Sequence, residues 1–316
     1  MPPAADGLSA TGYAAGTVGT PRQPGPEDRV VSGQGEALSS EASEQSEASG
    51  TPEPLDLRTD QPHSARMYDY LLGGKDHYTV DAEAAEQALA PFPLLRTAAR
   101  ENRAFLGRAV RHLVRETGIR QFLDLGSGLP TAENVHQVAQ RVDPSARVVY
   151  VDNDPIVLVH GSALLARDAH TAVIQGDIRR PTEVLEDPQV KGLLDLSKPL
   201  AVLAVAVLHF VADEEDPEGV VRVLREAVAP GSHFILSHAT ADLAPEAAMG
   251  VQRAYRAQGV PLTLRDRERF TGFFDGLTLI EPGVRVVSDW RNDEVPEAER
   301  PDHADVSWYG GIGRLD

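Results

Sequence analysis

Two apolar segments, each ending in a small polar turn, constrain this chain more than any other feature. The first, QFLDLGSGLPT at 121–131, is a predicted strand that leads into the turn Gly126-Ser127-Gly128 and then a helix start. The second, VVYVDNDP at 148–155, is a predicted strand that ends on Asp152. Glycines let the backbone approach a ligand closely because no side chain blocks the way. A carboxylate at the end of the neighbouring strand can accept both hydroxyl protons of a ribose, so the pair predicts a nucleotide-binding half-site.

Charge and composition narrow the classes of partner. The formal net charge of −18 argues against sequence-independent binding of nucleic acid, which needs basic side chains against phosphates, so no nucleic-acid partner is expected. The chain has no cysteine, and its histidines lack metal-ligand spacing, so no metal site is expected. The N-terminus does not resemble a secretory signal, and the longest apolar run, residues 199–211, is too short to cross a bilayer. We therefore expect no membrane partner and a cytoplasmic location.

Composition and periodicity divide the chain into three parts. Residues 1–61 are rich in Gly, Pro, Ser, Ala and Glu and are predicted to be a disordered acidic tail, because they cannot bury enough apolar surface to offset chain entropy. Residues 62–118 show helical periodicity, with a long amphipathic helix over 93–117 that ends at Gly118, and form a predicted helical lid. Residues 119–316 form the main domain.

The main domain alternates strands and helices. Strands are predicted near 120–125, 147–151, 172–175, 200–207 and 232–237, and helices near 131–141, 154–166, 181–194 and 216–229. Continuous apolar strands suit a parallel sheet that is covered on both faces. After helices near 244–258 and 266–274, strands at 277–281 and 284–288 flank Pro282-Gly283 and predict a closing hairpin. The expected fold is α/β, a doubly wound, Rossmann-like, seven-stranded sheet with an antiparallel last strand.

A specific set of motifs extends this pattern to a known family. The motifs are RMYDYLLGGKDHY at 66–78, ENRAFLGRAVRHL at 101–113, FLDLGSGLPT at 122–131, VYVDNDP at 149–155 and FFDGLTLIEPGV at 273–284. With them, the chain resembles class I S-adenosylmethionine-dependent methyltransferases and, more narrowly, an actinobacterial family of S-adenosyl methyltransferases that was formerly a domain of unknown function. The resemblance covers roughly residues 62–313. It implies a fold and the cofactor S-adenosyl-L-methionine, but no particular methyl acceptor.

The resemblance also implies a set of cofactor-binding residues. Asp124 would meet the ammonium group of the cofactor, and Asp152 would accept the ribose hydroxyls as an ionised acceptor. Asp177 would accept a hydrogen bond from the adenine amino group, and Ile178 would cover the ring. The full set is Asp124, Gly126, Ser127, Gly128, Asp152, Asn153, Asp177, Ile178 and Ala206.

Structural alternatives exist for several of these positions. The glycines could serve only to make a tight turn, and Asp177 could be a solvated loop residue beside Arg179, which is expected to be surface charge. Asp154 suits the N-cap of the next helix better than a ligand role, because proline follows it. Pro130 stands where a dinucleotide fingerprint has its third glycine, which favours a cofactor without a diphosphate.

The chemistry of the acceptor is less constrained. His209, after the fourth strand, is the candidate general base because histidine titrates near neutrality, although a structural hydrogen bond explains it equally well. The lid motif mixes a glycine hinge with polar groups and predicts a gated acceptor pocket, with local packing and surface pairing as the alternative. The predicted pocket residues are Tyr70, Gly74, Lys75, His77 and Asn102.

Three functions are consistent with these patterns. The first is methyl transfer to a small-molecule acceptor, the second is a non-catalytic module that binds S-adenosylmethionine or S-adenosylhomocysteine, and the third is an NAD-dependent oxidoreductase. The proline at position 130 and the predicted terminal hairpin count against the third. The sequence indicates neither the acceptor nor the oligomeric state.

Overall fold

A mixed sheet organises the computed structural model, which describes residues 57–130, 133–165 and 169–316. Within these residues the strands are β1 (Gln121–Leu125), β2 (Arg147–Asp152), β3 (Thr171–Gln175), β4 (Ala201–Val205), β5 (His233–Ala239), β6 (Thr278–Leu279), β7 (Arg285–Val286) and β8 (Trp308–Arg314). Their order is β3-β2-β1-β4-β5-β8-β6, with β7 also paired to β8. The first five strands are parallel, and β8 runs antiparallel to β5.

Helices cover the sheet and extend the chain on its N-terminal side. They are α1 (Ser64–Leu72), α2 (Thr79–Leu89), α3 (Leu95–His112), α4 (Val135–Val142), α5 (Pro155–Leu165), α6 (Pro181–Glu186), α7 (Pro188–Leu193), α8 (Pro217–Ala227), α9 (Pro245–Ala257), α10 (Arg267–Gly272) and α11 (His303–Val306). A π-helical turn, Leu113–Thr117, continues α3 and ends at Gly118, whose φ of +75° suits glycine. In the described part of the chain, no helix combines the length and apolar character that crossing a membrane requires.

The predicted fold class is confirmed, but the closing hairpin is not formed. The first five strands lie where the sequence predicts them, and the sheet ends in antiparallel strands. However, β6 and β7 do not pair with each other, because each pairs antiparallel with β8, a strand that the sequence analysis does not predict. The sequence of β8, WYGGIGR, does not predict a strand, because it is rich in glycine and glycine is depleted in strands. These glycines are needed for packing, since a Cβ at Gly310 would lie 2.9 Å from the Phe105 ring.

Two apolar clusters hold the described residues together. The larger cluster joins the sheet to α3, whose Phe105 and Val110 are fully buried against strand residues such as Phe122. The smaller one joins α1 and α2 to α9, through residues that include Leu71 and Val251. Full burial of one such side chain contributes about 1.5–3 kcal/mol. Helices α1 and α2 are therefore packed onto α9, and α3 is packed onto the sheet.

The strand order places a crevice at the carboxyl ends of β1 and β4. The chain moves outward from β1 through β2 to β3 on one side and from β4 to β5 on the other. Ligands of open parallel sheets bind where the strand order reverses in this way. The predicted boundaries at residues 61 and 118 stay predictions, and most of the predicted tail, residues 1–56, lies outside the described residues.

Candidate functional site

A cavity of about 720 Å³ lies at the carboxyl edge of the parallel strands. Its floor is formed by the ends of β1, β2 and β4 and by the loops that follow them, and residues of α1, α3 and α9 close it from the other side. The lining includes every residue predicted to bind the cofactor, together with His209 and Asn102. The fold thus brings into one cavity residues that lie far apart in the sequence.

The glycine turn after β1 and the acidic tip of β2 are in direct contact. The backbone N–H groups of Gly126 and Ser127 donate to the carbonyl oxygen of Val151, at 2.8 and 3.1 Å. The N–H of Gly128 donates to Oδ2 of Asp152 at 2.8 Å. Asp152 is 5% exposed. The turn and the carboxylate therefore form one rigid corner of the cavity.

The two glycines of the turn share a backbone conformation but differ in the space around them. Both have a positive φ, +66° at Gly126 and +68° at Gly128. A Cβ at Gly126 would lie 2.3 Å from Cγ2 of Val207, so this position is small because of the protein's own packing. A Cβ at Gly128 would meet no atom within 4 Å. The positive φ means that a tight turn is sufficient to explain both glycines. They differ in their surroundings, because Val207 fills the space beside Gly126 whereas Gly128 leaves open space on the cavity wall.

Burial disfavours the ionised form of two carboxyl groups at this corner, those of Asp124 and Asp152. Burial raises the pKa of Asp124 to about 7, with Arg103 lowering it and Asp152 raising it further. Burial also raises the pKa of Asp152, and the N–H groups of Asp154 and Gly128 oppose that rise. In the described part of the chain, no hydrogen bond reaches the carboxylate of Asp124. A cationic ligand group would favour its ionised form.

Unpaired polar atoms beside Asp124 fit a zwitterionic ligand. Nε of Arg103 and Oγ of Ser127 are buried without a hydrogen-bond partner, and both residues line the cavity. The other end of the Arg103 guanidinium is held by the carbonyl oxygen of Glu133 at 3.2 Å and by Oδ1 of Asn134 at 2.9 Å. Buried polar atoms are normally paired, so these atoms mark where a ligand supplies the partner. An anionic and a cationic side chain placed together suit an amino-acid moiety.

The loop after β3 contains an ion pair between Asp177 and Arg179. Nε of Arg179 donates to Oδ1 of Asp177 at 2.9 Å, and its Nη1 donates to Glu215 at 2.8 Å. Burial raises the pKa of Asp177, but the hydrogen bonds and charge of Arg179 outweigh it and hold the pKa below its usual value. Arg179 is exposed, as expected of a surface charge, and it is also the ion-pair partner of Asp177 and lines the cavity. Ile178, also on the wall, is buried.

Asp154 connects the start of α5 to the N-terminal segment. Its Oδ1 accepts from the N–H of Ile156 at 3.0 Å, the capping role that the sequence predicts. Its Oδ2 lies 3.0 Å from Nε of Arg66 and 3.2 Å from Nδ1 of His63. Arg66 is 2% exposed and also lies 3.5 Å from Asp81. This buried ion-pair cluster fixes α1 against the corner that the glycine turn and Asp152 form.

The segment after β4 carries a strained backbone and a buried histidine. Ala206 has a φ of +58°, a conformation that costs energy for a residue with a Cβ, and its N–H donates to Oγ of Ser237 at 3.0 Å. His209 is 2% exposed, and its Nδ1 accepts from the N–H of Ala239 at 3.4 Å, which places the proton on Nε2. Burial, with His238 and Arg265 nearby, holds the pKa of His209 well below its usual value. At neutral pH the imidazole is an uncharged donor and a weak base.

The structure does not bring most of the predicted pocket residues to the cavity. Tyr70, Gly74, Lys75 and His77 are not among the described residues that line it. The hydroxyl of Tyr70 is bonded to Glu86, and Nδ1 of His77 lies 3.0 Å from Oδ2 of Asp69. A Cβ at Gly74 would lie 1.8 Å from Oδ1 of Asp69, and Lys75 is exposed. Tyr70 and His77 therefore contact neighbouring carboxylates of the N-terminal helices, Glu86 and Asp69, instead of the cavity.

Asn102 does line the cavity and is part of a hydrogen-bond chain. Its Oδ1 accepts from Oγ of Ser237 at 2.6 Å, and its Nδ2 donates to the hydroxyl of Tyr68 at 3.0 Å. Tyr68 in turn donates to the carbonyl oxygen of Ala99 at 3.0 Å. These hydrogen bonds link α1, α3 and β5 to Ala206, the residue with a positive φ after β4. The signal for it in the sequence is a polar residue on the apolar stripe of the long helix.

Comparison with known proteins agrees with this geometry. A family model described as S-adenosyl methyltransferase matches residues 50–316. The chain is 42% identical to a DUF574 family protein from Streptomyces avermitilis, with a TM-score of 0.80 over 83% of this chain and 100% of that one. It is 41% identical to a candidate methyltransferase from Thermobifida fusca, with a TM-score of 0.79 over 84% of this chain and 100% of that one. No curated protein matches it.

Proposed function

The chain belongs to the S-adenosyl methyltransferase family, and we propose that it is an active enzyme that transfers a methyl group to a small-molecule acceptor by in-line displacement. Its cofactor is S-adenosyl-L-methionine. The observation that carries the proposal is the contact between the Gly128 N–H and the Asp152 carboxylate inside the cavity. The proposal is supported there by the carboxylate oxygens of Asp152, which could accept the hydroxyl protons of a ribose.

Each part of the cofactor has residues that suit it. Asp152 would accept from the ribose hydroxyls, and Gly128 leaves room for the ligand to lie against the backbone. Asp124 would take the ammonium group, and the unpaired Nε of Arg103 would take the carboxylate. The adenine would lie against Asn153, Asp177 and Ile178, as the sequence predicts, and Ala206 would lie beneath the reacting end.

The protein's contribution to the reaction is positioning and exclusion of water. The bound cofactor supplies a methyl group that its sulfonium already activates. Alignment of two reactants in one site can lower the barrier by about 7–11 kcal/mol, so no strong base has to be present. His209 is uncharged and donates through Nε2, so it would orient an acceptor atom instead of removing its proton.

A small acceptor is supported by the limited size of the cavity, about 720 Å³. Residues of α1, α3 and α9 line it opposite the strand ends, and the buried Arg66–Asp154 ion pair ties α1 to the start of α5. The net charge of −18 supports the absence of a nucleic-acid substrate. That absence and the cytoplasmic location stay predictions. The family match does not favour the NAD-dependent alternative.

Two measurements test the proposed function. Calorimetry with S-adenosylhomocysteine should show one binding site, and no detectable heat at millimolar ligand contradicts the proposal. Incubation with methyl-labelled cofactor and an actinobacterial metabolite extract should give a labelled small molecule. Binding without any labelled product supports the non-catalytic module instead.

A further inference from the structure

The cavity wall changes character away from the glycine turn. On the side of α9, rings and aliphatic side chains line it in place of carboxylates. We call this wall the aromatic subsite: Phe92, Leu95, Phe210, Tyr255, Leu262 and Trp308. The rings of Phe210 and Tyr255 are stacked, with centroids 6.1 Å apart and planes 20° apart. The His209 ring meets the edge of Trp308 at 5.3 Å and connects the subsite to the end of β4.

Charged side chains are confined to the other half of the cavity. The arginines and aspartates on its wall belong to the segment 58–66, to Arg103, and to the carboxyl ends of β1, β2 and β3 with the loops after them. The described lining residues within 71–99, 205–211, 239–264 and 307–308 include no Lys, Arg, Asp or Glu. A formally charged acceptor would lose its hydration there without gaining a counter-ion, which costs several kcal/mol.

Two polar atoms, one in the aromatic subsite and one beside it, have no hydrogen-bond partner among the described residues. Tyr255 is 6% exposed, and its hydroxyl makes no hydrogen bond with any described residue. Burial raises the pKa of Tyr255, so the hydroxyl keeps its proton and is a donor at neutral pH. Nε2 of His209 is likewise a donor without a partner among the described residues. Both residues line the cavity, so both donors are available to acceptor atoms on a ligand.

We propose that the methyl acceptor is an uncharged, ring-bearing small molecule that presents an oxygen to the hydroxyl of Tyr255. Its ring packs between Phe210 and Tyr255 on one side and the aliphatic residues of the subsite on the other. His209 donates from the β4 side, nearer the cofactor. This assignment of acceptor class rests on the proposed methyl transfer, but it concerns residues outside the cofactor corner.

Binding of 1-naphthol to the protein saturated with S-adenosylhomocysteine tests the proposal. Calorimetry should show naphthol binding at up to millimolar concentration, and 1-naphthylmethylamine and 1-naphthoate, which carry a charge on the same ring system, should bind at least about tenfold more weakly. If a charged analogue binds as tightly as naphthol, or if no naphthyl compound binds while S-adenosylhomocysteine does, the proposal is wrong. If S-adenosylhomocysteine itself does not bind, it is the proposed function that fails.

Matched variants locate the binding. Tyr255→Phe removes only the hydroxyl and should weaken naphthol binding roughly 3- to 10-fold, because one hydrogen bond is lost. Phe210→Leu keeps an apolar side chain but loses the ring, and should weaken it by a similar factor. Tyr309→Phe is the control, since its hydroxyl contacts Asp242 and the residue does not line the cavity. Equal naphthol affinity in all three variants would place the ligand elsewhere and overturn the assignment.

Discussion

The N–H of Gly128 and the Oδ2 atom of Asp152, 2.8 Å apart, join the loop after β1 to the tip of β2. The other oxygen of Asp152 accepts from the N–H of Asp154 at 3.0 Å. A carboxylate has about four acceptor sites, so about two stay available. That number matches the two hydroxyl groups of a ribose, and the cavity lies directly beside them.

Alanine at position 128 should abolish most cofactor binding without unfolding the protein. The new Cβ would meet no protein atom within 4 Å, so it would stand in the space proposed for the ligand. Gly118→Ala is the matched control, because its φ of +75° is similar, its Cβ is also unobstructed and it does not line the cavity. Both variants should lose about 1–2 kcal/mol of stability from the left-handed conformation. In calorimetry, only Gly128→Ala should weaken S-adenosylhomocysteine binding, by at least about tenfold; equal affinity in the two variants contradicts this placement.

The affinity for S-adenosylhomocysteine should rise with pH near neutrality. The pKa of Asp124 is about 7 in the free protein, and the ligand's ammonium group favours the ionised carboxylate. Binding therefore releases a proton below about pH 7, and affinity should increase from about pH 6 and level off above about pH 8. Asp152, whose pKa is also raised, contributes with the same sign. Calorimetry in two buffers of different ionisation enthalpy measures the released protons, and a flat pH profile for the wild type argues against this role of Asp124.

Asp124→Asn should make the ligand-free protein more stable at pH 8. The folded-state pKa of Asp124 is raised from 3.8 to about 7. Ionisation of this carboxyl group therefore lowers the stability of the wild-type protein as pH rises from about 4 to 7, and the loss persists above pH 7. The amide carries no charge and escapes this cost, which is at most about 4 kcal/mol. Urea unfolding at pH 4 and pH 8 checks the sign: the difference between the variant and the wild type should be larger at pH 8. If the stability difference between the variant and the wild type is smaller at pH 8 than at pH 4, this role of the Asp124 charge is ruled out.

Arg66→Met should destabilise the protein strongly. It leaves Asp154 and Asp81, both buried, without their cation, and removal of one partner from a buried ion pair costs about 3–5 kcal/mol. Lys198→Met is the control, because the Lys198–Asp195 pair is exposed and solvent screening leaves such pairs little effect on stability. Chemical denaturation of both variants measures the difference, and equal losses would show that the Arg66 cluster is not a structural anchor.

Local patterns in the sequence were sufficient to predict the parallel half of the sheet. Strands β1 to β5 are apolar over consecutive residues and are separated by amphipathic helices, so each could be predicted from its own segment. Strand β8 could not, because its glycines reflect packing against distant side chains. A Cβ at Gly313 would lie 2.8 Å from the Phe274 ring, a contact that local propensity does not encode.

Some residues of the candidate site could also be predicted from their own segment, and others could not. The glycine turn and Asp152 follow strands, and position alone brings them to one edge of the sheet. The roles of Arg66 and Arg179 depend on which carboxylates they meet in space, Asp154 and Asp177. Tyr70 and His77 were expected at the cavity, but Glu86 and Asp69 bind them outside it. Which carboxylate each of them meets depends on the folded arrangement and not on the local sequence.

Calorimetric titration of S-adenosylhomocysteine into the wild type and into Asp152→Ala tests the central claim most directly. The variant loses two charge-assisted hydrogen bonds to the ribose, so its affinity should fall by about 100-fold or more. It also loses the carboxylate that accepts the N–H groups of Gly128 and Asp154, so its melting temperature should fall, but the protein should stay folded. A folded Asp152→Ala protein that binds the ligand as tightly as the wild type would contradict the assignment of this corner to the cofactor.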